Sequence, residues 1–323
     1  MAKPKVLVTR RWPQAVEAKM AEVFDLDLNR ADKPLSVTEL KAALGQYDAV
    51  LPTVTDRLPA AVFEQARSRT RILANYGVGF AHIDTAAAKA AEIAVTNTPD
   101  VLSECTADIA MTLMLMVARR ASEGERELRE GRWTGWRPTH LIGTKVSGAT
   151  LGIIGFGRIG QAMAQRAHFG FGMKILVQNR SPIAPEVLAR YNAVQVPTIE
   201  DLLPECDFVS LHCPGGAANR HLINSRRLDL MRPGAFLINT ARGEVVDEHA
   251  LAQALWFGTI GGAGLDVFER EPQVPEALLG ADNLVLLPHL GSATRETREA
   301  MGFRVLENLT DFFNGRQPRD RVV

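Results

Sequence analysis

The sequence predicts an α/β protein with two domains. Short runs of aliphatic residues alternate with alanine-rich helical patterns along the chain, which is typical of parallel sheets covered by helices. A length of 323 residues with 46% hydrophobic side chains is enough for two cores rather than one. A glycine-rich turn lies between an aliphatic run and a helical pattern in the second half of the chain. Together these observations indicate doubly wound parallel sheets.

Five strands are predicted in the first hundred residues, with helical segments between most of them. Each is a short run rich in aliphatic and β-branched side chains. They are predicted at Lys5–Thr9, Phe24–Leu28, Ala49–Pro52, Ile72–Asn75 and Ala94–Asn97. At the other end of the chain, residues 292–313 have a helical pattern in which Met301, Val305 and Leu309 share one face.

A second series of strands follows a helix predicted around residues 104–120. Between them lies the polar stretch GRWTGWRPTHLIGTKV, which we interpret as an arm or linker. The strands are predicted at Thr150–Ile154, Lys174–Gln178, Phe208–Leu211, Ala235–Asn239, Gly262–Val267 and Leu284–Leu287. This succession is the one expected of a doubly wound nucleotide-binding unit.

Composition and charge argue against several classes of function. Lys plus Arg equal Asp plus Glu at 37 each, so no net charge attracts the chain to nucleic acid or to an anionic membrane. The most apolar helical stretch, Ile109–Ala118, is about half as long as a membrane span. Three cysteines without a CxxC pair argue against a disulfide framework or a zinc cluster. The N-terminal segment MAKPKVLVTR lacks the apolar core of a secretory peptide, so we expect a cytoplasmic protein without a metal site.

The stretch TLGIIGFGRIGQAMAQRA contains the glycine-rich turn, with the pattern Gly155-x-Gly157-x-x-Gly160. The first glycine permits the tight turn, the second lets the backbone approach a pyrophosphate, and the third lets the helix pack against the strand. Phosphate would then bind the free N–H groups at the helix N-terminus. We therefore expect these glycines, with Arg158 and Ile159, to bind a dinucleotide cofactor.

An asparagine stands where a dinucleotide-binding fold usually has a carboxylate. The stretch LVQNRSP ends the second strand of this unit, and Asn179 lies 19 residues after Gly160. An Asp or Glu about 20 residues past the glycines would bind the ribose hydroxyls of NAD and repel the 2′-phosphate of NADP. Asn179 removes that repulsion, while Arg180 and Ser181 offer a cation and a hydroxyl to the phosphate. The sequence therefore predicts that NADP(H) is preferred over NAD(H).

Three strand ends of the second series carry chemically distinct side chains. Arg242 follows the strand AFLINT, Glu271 follows GGAGLDVF, and His289 follows LVLLP. Ligands of open α/β sheets bind beyond the carboxyl ends of the strands. An arginine can bind the carboxylate or polarise the carbonyl of a 2-oxo acid, and a histidine paired with a glutamate can donate a proton to its oxygen. Each residue alone could be a solvated or structural one, but jointly they predict reduction of a 2-oxo acid by hydride.

Longer motifs surround these residues, namely GFGRIG, LHCPGG, INTARGEVVDEHAL, GLDVFEREP and LLPHLGSAT. Together, over essentially the whole chain, they resemble the D-isomer-specific 2-hydroxyacid dehydrogenases. The most similar branch is that of the glyoxylate/hydroxypyruvate reductases, which includes bacterial 2-ketogluconate reductases. The resemblance implies a Rossmann cofactor domain at residues 101–290, inserted into a flavodoxin-like substrate domain at residues 1–100 and 291–323. It also implies a homodimer with a dimerisation arm near residues 120–146.

The resemblance also assigns roles to single residues of the second domain. It makes Arg242 the substrate-binding arginine, His289 the acid/base and Glu271 its partner. It places Asp266 near the nicotinamide, although a strand-end cap is the alternative for this residue. The residues implied to line the cofactor are His212, Pro214, Thr240, Ala241, Asp266 and Gly291.

Residues of the first domain and of the arm receive weaker assignments. Val78 and Gly79 lie in a turn after a strand, where successive N–H groups could receive the substrate carboxylate. Val54 is a candidate for a wall of the substrate pocket. Trp133 and Trp136 lie in the arm, where Trp136 is a candidate to reach the neighbouring subunit's active site; packing in the core or in an interface is the alternative.

The sequence thus predicts an NADPH-preferring reductase of small 2-oxo acids, which converts glyoxylate, hydroxypyruvate or 2-ketogluconate to the D-2-hydroxy acid. Two alternatives stay open. One is another D-2-hydroxyacid dehydrogenase, of the D-lactate or D-3-phosphoglycerate type; the chain's end at Val323, without a regulatory domain, weakens the latter. The other is a non-catalytic NAD(P)-sensing binding protein, because a fold alone does not fix a function.

Overall fold

The structure, a computed structural model, describes residues 2–64 and 68–323. The chain forms two compact units, one composed of Met1–Leu102 with Ala293–Val323 and the other of Ser103–Ser292. The second unit is therefore inserted, in the sequence, between the two parts of the first. None of the described helices combines the length and the apolar composition that a membrane span needs.

All strands of the described residues belong to two parallel sheets. The strands are β1 (Lys5–Val8), β2 (Asp25–Leu28), β3 (Ala49–Leu51), β4 (Ile72–Ala74), β5 (Ala94–Thr96), β6 (Thr150–Ile154), β7 (Lys174–Gln178), β8 (Ala193–Gln195), β9 (Phe208–Leu211), β10 (Phe236–Asn239), β11 (Gly262–Leu265) and β12 (Leu284–Leu286). The α/β class predicted from the sequence is confirmed.

Helices connect most successive strands. They are α1 (Gln14–Val23), α2 (Val37–Gln46), α3 (Ala60–Phe63), α4 (Thr85–Ala90), α5 (Ser103–Ala118), α6 (Ala121–Arg129), α7 (Arg158–Gln165), α8 (Pro185–Ala189), α9 (Ile199–Leu202), α10 (Ser225–Leu228), α11 (Glu248–Trp256), α12 (Glu276–Leu279) and α13 (Arg295–Phe313). Several begin at a polar cap that satisfies free N–H groups. Ser36 and Glu39 form a capping box at the start of α2, for example.

The sheet of the first unit has the strand order β2-β1-β3-β4-β5, which is the flavodoxin-like order. Strands β3, β4 and β5 are entirely buried. Helix α13 returns to this unit from the far end of the chain and packs closely on α1. A Cβ atom added at Gly302 would lie 2.5 Å from Cγ1 of Val16, so only glycine allows this approach.

The sheet of the second unit has the order β12-β11-β10-β9-β6-β7-β8. The order reverses between β6 and β9, which are neighbours although two strands separate them in the sequence. Such a reversal is the point at which doubly wound sheets bind their ligands. Two separate apolar clusters include residues of the second unit's sheet. The sheet is therefore the buried central layer of this unit and holds the ends of its strands in fixed positions.

The structure differs from the sequence prediction at the edge of the second sheet. Strand β8 was not predicted, because its central residue Val194 is exposed and no continuous apolar run marks it. Helix α6 was not predicted separately either. Among the other strands, the largest difference is at β11, which ends at Leu265 instead of Val267.

Candidate active site

The glycine-rich turn connects β6 to α7, as the sequence predicts. Gly155 has a φ of 92°, and a Cβ atom there would lie 2.6 Å from the backbone nitrogen of Cys213. A Cβ atom at Gly160 would lie 2.3 Å from the carbonyl oxygen of Gly155, so the helix could not approach the strand with any other residue. The first and third glycines are thus required by the protein itself.

The second glycine leaves room for a ligand. A Cβ atom at Gly157 would have no neighbour within 4 Å, and the helix α7 begins directly after it. At the end of β10, the hydroxyl of Thr240 is buried and forms no hydrogen bond with any described residue. An open glycine at a helix N-terminus and an unsatisfied buried hydroxyl both fit a bound dinucleotide, which would fill the space and supply phosphate oxygens.

Asn179 connects the glycine turn to the loop after β7. Its Oδ1 accepts a hydrogen bond of 3.2 Å from the N–H of Phe156, and its Nδ2 donates to the carbonyl of Ser181 at 3.0 Å. Arg180 and Ser181 are exposed beside it. Within the described residues, no carboxylate forms an ion pair with the Arg180 guanidinium. The loop therefore presents an uncharged amide and a cation where NAD-binding folds present a carboxylate.

His289 and Glu271 form a hydrogen-bonded pair. Nδ1 of His289 lies 2.8 Å from Oε2 of Glu271, and each side chain is about one-third exposed. Burial raises the pKa of Glu271, but the hydrogen bond and charge of His289, the N–H of Phe268 and the charge of Arg242 outweigh burial and lower it overall. The carboxylate is therefore an acceptor, so Nδ1 of His289 donates to it and Nε2 is the other ring nitrogen available for chemistry.

The backbone around His289 is fixed by Asp266, which is 1% exposed. The Asp266 carboxylate accepts from the N–H groups of Leu290 at 2.6 Å and Gly291 at 2.7 Å. Its own carbonyl accepts from the N–H of His289 at 2.9 Å. Burial raises the pKa of Asp266, and these N–H groups together with the His289 charge oppose the rise. These contacts hold the histidine loop, and the position of Asp266 near the nicotinamide stays a prediction.

Arg242 follows β10 and is held by its own strand end. Nδ2 of Asn239 donates to the carbonyl of Arg242 at 2.9 Å, while Oδ1 of Asn239 accepts from the N–H of Ala241 at 3.0 Å. Burial lowers the pKa of Arg242, and the charges of Glu271 and Glu244 oppose this. The Arg242 guanidinium therefore lies close enough to the Glu271 carboxylate for their charges to interact.

The loops that carry Arg242 and Glu271 are in direct contact. A Cβ atom added at Gly243 would lie 1.8 Å from the carbonyl carbon of Phe268 and 2.2 Å from the nitrogen of Glu269. The structure thus brings together Arg242, Glu271 and His289, the three residues that the sequence singles out at separate strand ends.

The loop after β9 contains the predicted residues His212 and Pro214. The N–H of His212 donates to the carbonyl of Ile154 at 2.8 Å, and its Nε2 lies 2.8 Å from Oγ of Ser210. Burial lowers the pKa of His212 to about 4, so the imidazole is neutral near pH 7. Glu244, near Arg242, accepts at 2.7 Å from the N–H of Gly216 and fixes the end of this loop.

In the first unit, the predicted residues Val78 and Gly79 lie in a turn after β4. Nδ2 of Asn75 donates to the carbonyls of Gly77 and Gly79, at 2.9 and 3.0 Å, and Nδ2 of Asn97 donates to that of Val78 at 2.9 Å. No acceptor among the described residues binds the N–H groups of Val78 and Gly79. The turn therefore has two free successive donors, as an anion site requires.

Val54 and the two arm tryptophans are exposed. Val54 is 40% exposed in the loop after β3. Residues 131–149 form neither helix nor strand. Trp133 is 49% exposed and Trp136 is 82% exposed, which excludes packing of Trp136 in the core of this chain.

Sequence reasoning missed residues that hold the site in place. Asn239 could have been found as a polar side chain at the end of an otherwise apolar strand. Asn75 gives the same signal, as the last residue of the predicted strand Ile72–Asn75, but the sequence does not reveal the partners of either side chain. In the described residues, no three His, Cys, Asp or Glu side chains are grouped so as to hold a metal ion.

Fold and site together define an NAD(P)-dependent oxidoreductase. The second unit matches the family model "D-isomer specific 2-hydroxyacid dehydrogenase, NAD binding domain" over residues 111–291. The chain is 45% identical over 320 residues to a glyoxylate reductase of Thermococcus onnurineus, covering 98% of this chain and 95% of that one. It is also 45% identical over 322 residues to a glyoxylate reductase of Korarchaeum cryptofilum, covering 99% and 96%.

A solved structure is similar over its whole length. The NADPH-dependent glyoxylate/hydroxypyruvate reductase from Sinorhizobium meliloti, in complex with NADP and malonate, superposes with a TM-score of 0.88 at 36% identity, covering 100% of this chain and 97% of that one. The protein belongs to the D-isomer-specific 2-hydroxyacid dehydrogenase family.

Proposed function

We propose that this protein reduces small 2-oxo acids to D-2-hydroxy acids, with glyoxylate and hydroxypyruvate as substrates and 2-ketogluconate as a further one. The observation that carries the proposal is the 2.8 Å hydrogen bond between His289 and Glu271, with the charge of Arg242 acting on the same carboxylate. The names of the archaeal and Sinorhizobium relatives support the substrate class.

The chemistry follows from the roles of these side chains. When bound, the reduced nicotinamide supplies the hydride that forms the new C–H bond at C2 of the oxo acid. Negative charge then develops on the carbonyl oxygen, and Nε2 of His289 donates a proton to it. Glu271 accepts a hydrogen bond from Nδ1 of His289 and so fixes the orientation of the ring. In the oxidation direction the same pair takes the proton back.

The substrate is proposed to bind through charge and hydrogen bonds. Arg242 would hold the substrate with paired N–H donors, either at its carboxylate or at the carbonyl oxygen, where it would stabilise the developing charge. In the first unit, the free N–H groups of Val78 and Gly79 would bind the carboxylate, and Val54 would form part of the pocket wall.

NADPH is the proposed cofactor, held by the glycine turn and by the loop that contains Asn179. The other residues predicted to line it are His212, Pro214, Thr240, Ala241, Asp266 and Gly291. The neutral Asn179 and the unpaired Arg180 support a preference for the 2′-phosphate. A homodimer is proposed as well, because the exposed Trp133 and Trp136 on an irregular arm are typical of a surface that another subunit covers.

Oxidation of NADPH on addition of each oxo acid tests the proposal. We expect turnover with glyoxylate and hydroxypyruvate, a higher kcat/KM with NADPH than with NADH, and near loss of turnover in His289→Ala while NADPH still binds. Pyruvate and phosphohydroxypyruvate distinguish the lactate and phosphoglycerate types. An absence of turnover with any 2-oxo acid would favour a binding protein, and an active His289→Ala would remove His289 from the role of acid.

A further inference from the structure

We infer that Gln195, on the edge strand β8, is a specificity-determining residue that positions the loop for the cofactor's 2′-phosphate. This inference rests on the proposed binding of NADPH. Gln195 is neither part of the glycine turn nor part of the loop that would contact the phosphate. It acts, in this proposal, by holding that loop in the conformation that binds.

The contacts of Gln195 are with two backbone groups of the loop between β7 and β8. Its Oε1 accepts a hydrogen bond of 2.9 Å from the N–H of Ile183. Its Nε2 donates to the carbonyl of Ser181 at 3.3 Å. One side-chain amide therefore fixes the loop on both sides of Pro182.

The same carbonyl links Gln195 to the glycine turn. Ser181 accepts a second hydrogen bond from Nδ2 of Asn179, and Oδ1 of Asn179 accepts from the N–H of Phe156. A continuous series of hydrogen bonds thus runs from the turn that would hold the pyrophosphate to β8. The loop in between carries Arg180 and Ser181, the two side chains that offer a charge and a hydroxyl to a 2′-phosphate.

Such a loop gains affinity from being ordered before the ligand arrives. Arg180 and Ser181 are exposed, and no described residue pairs with either side chain. Without an anchor, binding would have to order the loop, and the cost would reduce affinity. Asn179 fixes the loop as far as the carbonyl of Ser181. Gln195 binds the same carbonyl and also the N–H of Ile183, so it fixes the loop beyond Pro182, which is why a residue outside the motif would affect the choice of cofactor.

The experiment compares two ligands that differ only in the phosphate. Calorimetric titration measures binding of adenosine 2′,5′-bisphosphate and of 5′-AMP to the wild type, Gln195→Ala and Gln195→Met. We expect both variants to bind the bisphosphate about 5- to 150-fold more weakly, the range that removal of two hydrogen bonds spans, with 5′-AMP changed less than about 2-fold. Gln253→Ala, the same substitution at an exposed position on α11, is the matched control and should change neither affinity.

The outcomes separate this inference from the proposed cofactor preference. An equal loss for both ligands, or no loss for the bisphosphate, would overturn the role of Gln195. The preference is measured independently as the wild-type ratio of kcat/KM for NADPH and NADH. If that ratio favoured NADH while Gln195→Ala still weakened only bisphosphate binding, the preference would be wrong and the role of Gln195 would stand.

Discussion

Substitution of Gly243 by alanine should separate the two loops that carry Arg242 and Glu271. The added methyl carbon would lie 1.8 Å from the carbonyl carbon of Phe268, whereas non-bonded carbons need about 3.5 Å. The neighbours are backbone atoms, so no side chain can rotate away, and the loops must move apart by roughly 1.5 Å. A misplacement of about 1 Å at a reacting group costs on the order of 100-fold in rate. We therefore expect kcat for glyoxylate reduction to fall about 100-fold or more.

Steady-state kinetics together with NADPH titration distinguish this effect from unfolding. The glycine turn follows β6, a different strand, so Gly243→Ala should still bind NADPH, with some loss of affinity because Thr240 and Ala241 precede the displaced loop. Gly170→Ala is the matched control, because its Cβ would meet nothing within 4 Å, and it should keep wild-type kcat. If Gly243→Ala kept kcat within about 3-fold of the wild type, the contact between the loops would not position the catalytic side chains.

Three further predictions follow from the contacts and the charges of the site. Glu271→Ala removes the acceptor that fixes the His289 ring through Nδ1, so kcat should fall at least about 10-fold; an unchanged kcat would contradict the pair. Arg242→Lys cannot form paired hydrogen bonds, so kcat/KM should fall about 100-fold, and a fall below about 3-fold would place Arg242 outside the substrate site. Between pH 6.5 and about 4 the unfolded chain protonates His212 whereas the folded chain does not, so stability falls as the pH drops. The imidazole is partly exposed, so the expected effect is moderate. Between about pH 7.5 and 5, the free energy of unfolding in urea should fall by about 1 kcal/mol more in the wild type than in His212→Asn, and equal losses would contradict this.

The strands and the three central side chains were predictable because each leaves a local pattern in the sequence. Buried parallel strands are continuous apolar runs, and the residues that follow them must lie at one edge of the sheet. Arg242, Glu271 and His289 could therefore be expected to meet although 18 to 47 residues separate them in the chain. Edge strand β8 lacks such a run, since one of its three residues is exposed and the other two are only partly buried.

The residues that hold the site could not be predicted in the same way. Asn239, Asn75 and Gln195 bind backbone groups of loops, and the positions of those groups depend on turns whose dihedral angles the sequence does not specify. The close packing around Gly243 could not be predicted from the sequence either. Its sequence neighbours give no sign that the backbone of Phe268, 25 residues further on, lies within the space of a methyl group.

The contacts that hold the proposed catalytic residues are all made by other residues of the protein. His289 has a φ of 56°, a left-handed conformation that costs of order 1 kcal/mol or more in a residue other than glycine. Three hydrogen bonds involving Asp266 hold the backbone there, and Glu271 fixes the ring. The free-energy costs of the strained φ angle and of ordering the loop are thus offset by contacts formed when the protein folds, and they do not add to the cost of the reaction. In the proposed mechanism, a proton donor held in this way needs little reorganisation when charge develops on the substrate oxygen, which is the condition for efficient stabilisation of the transition state.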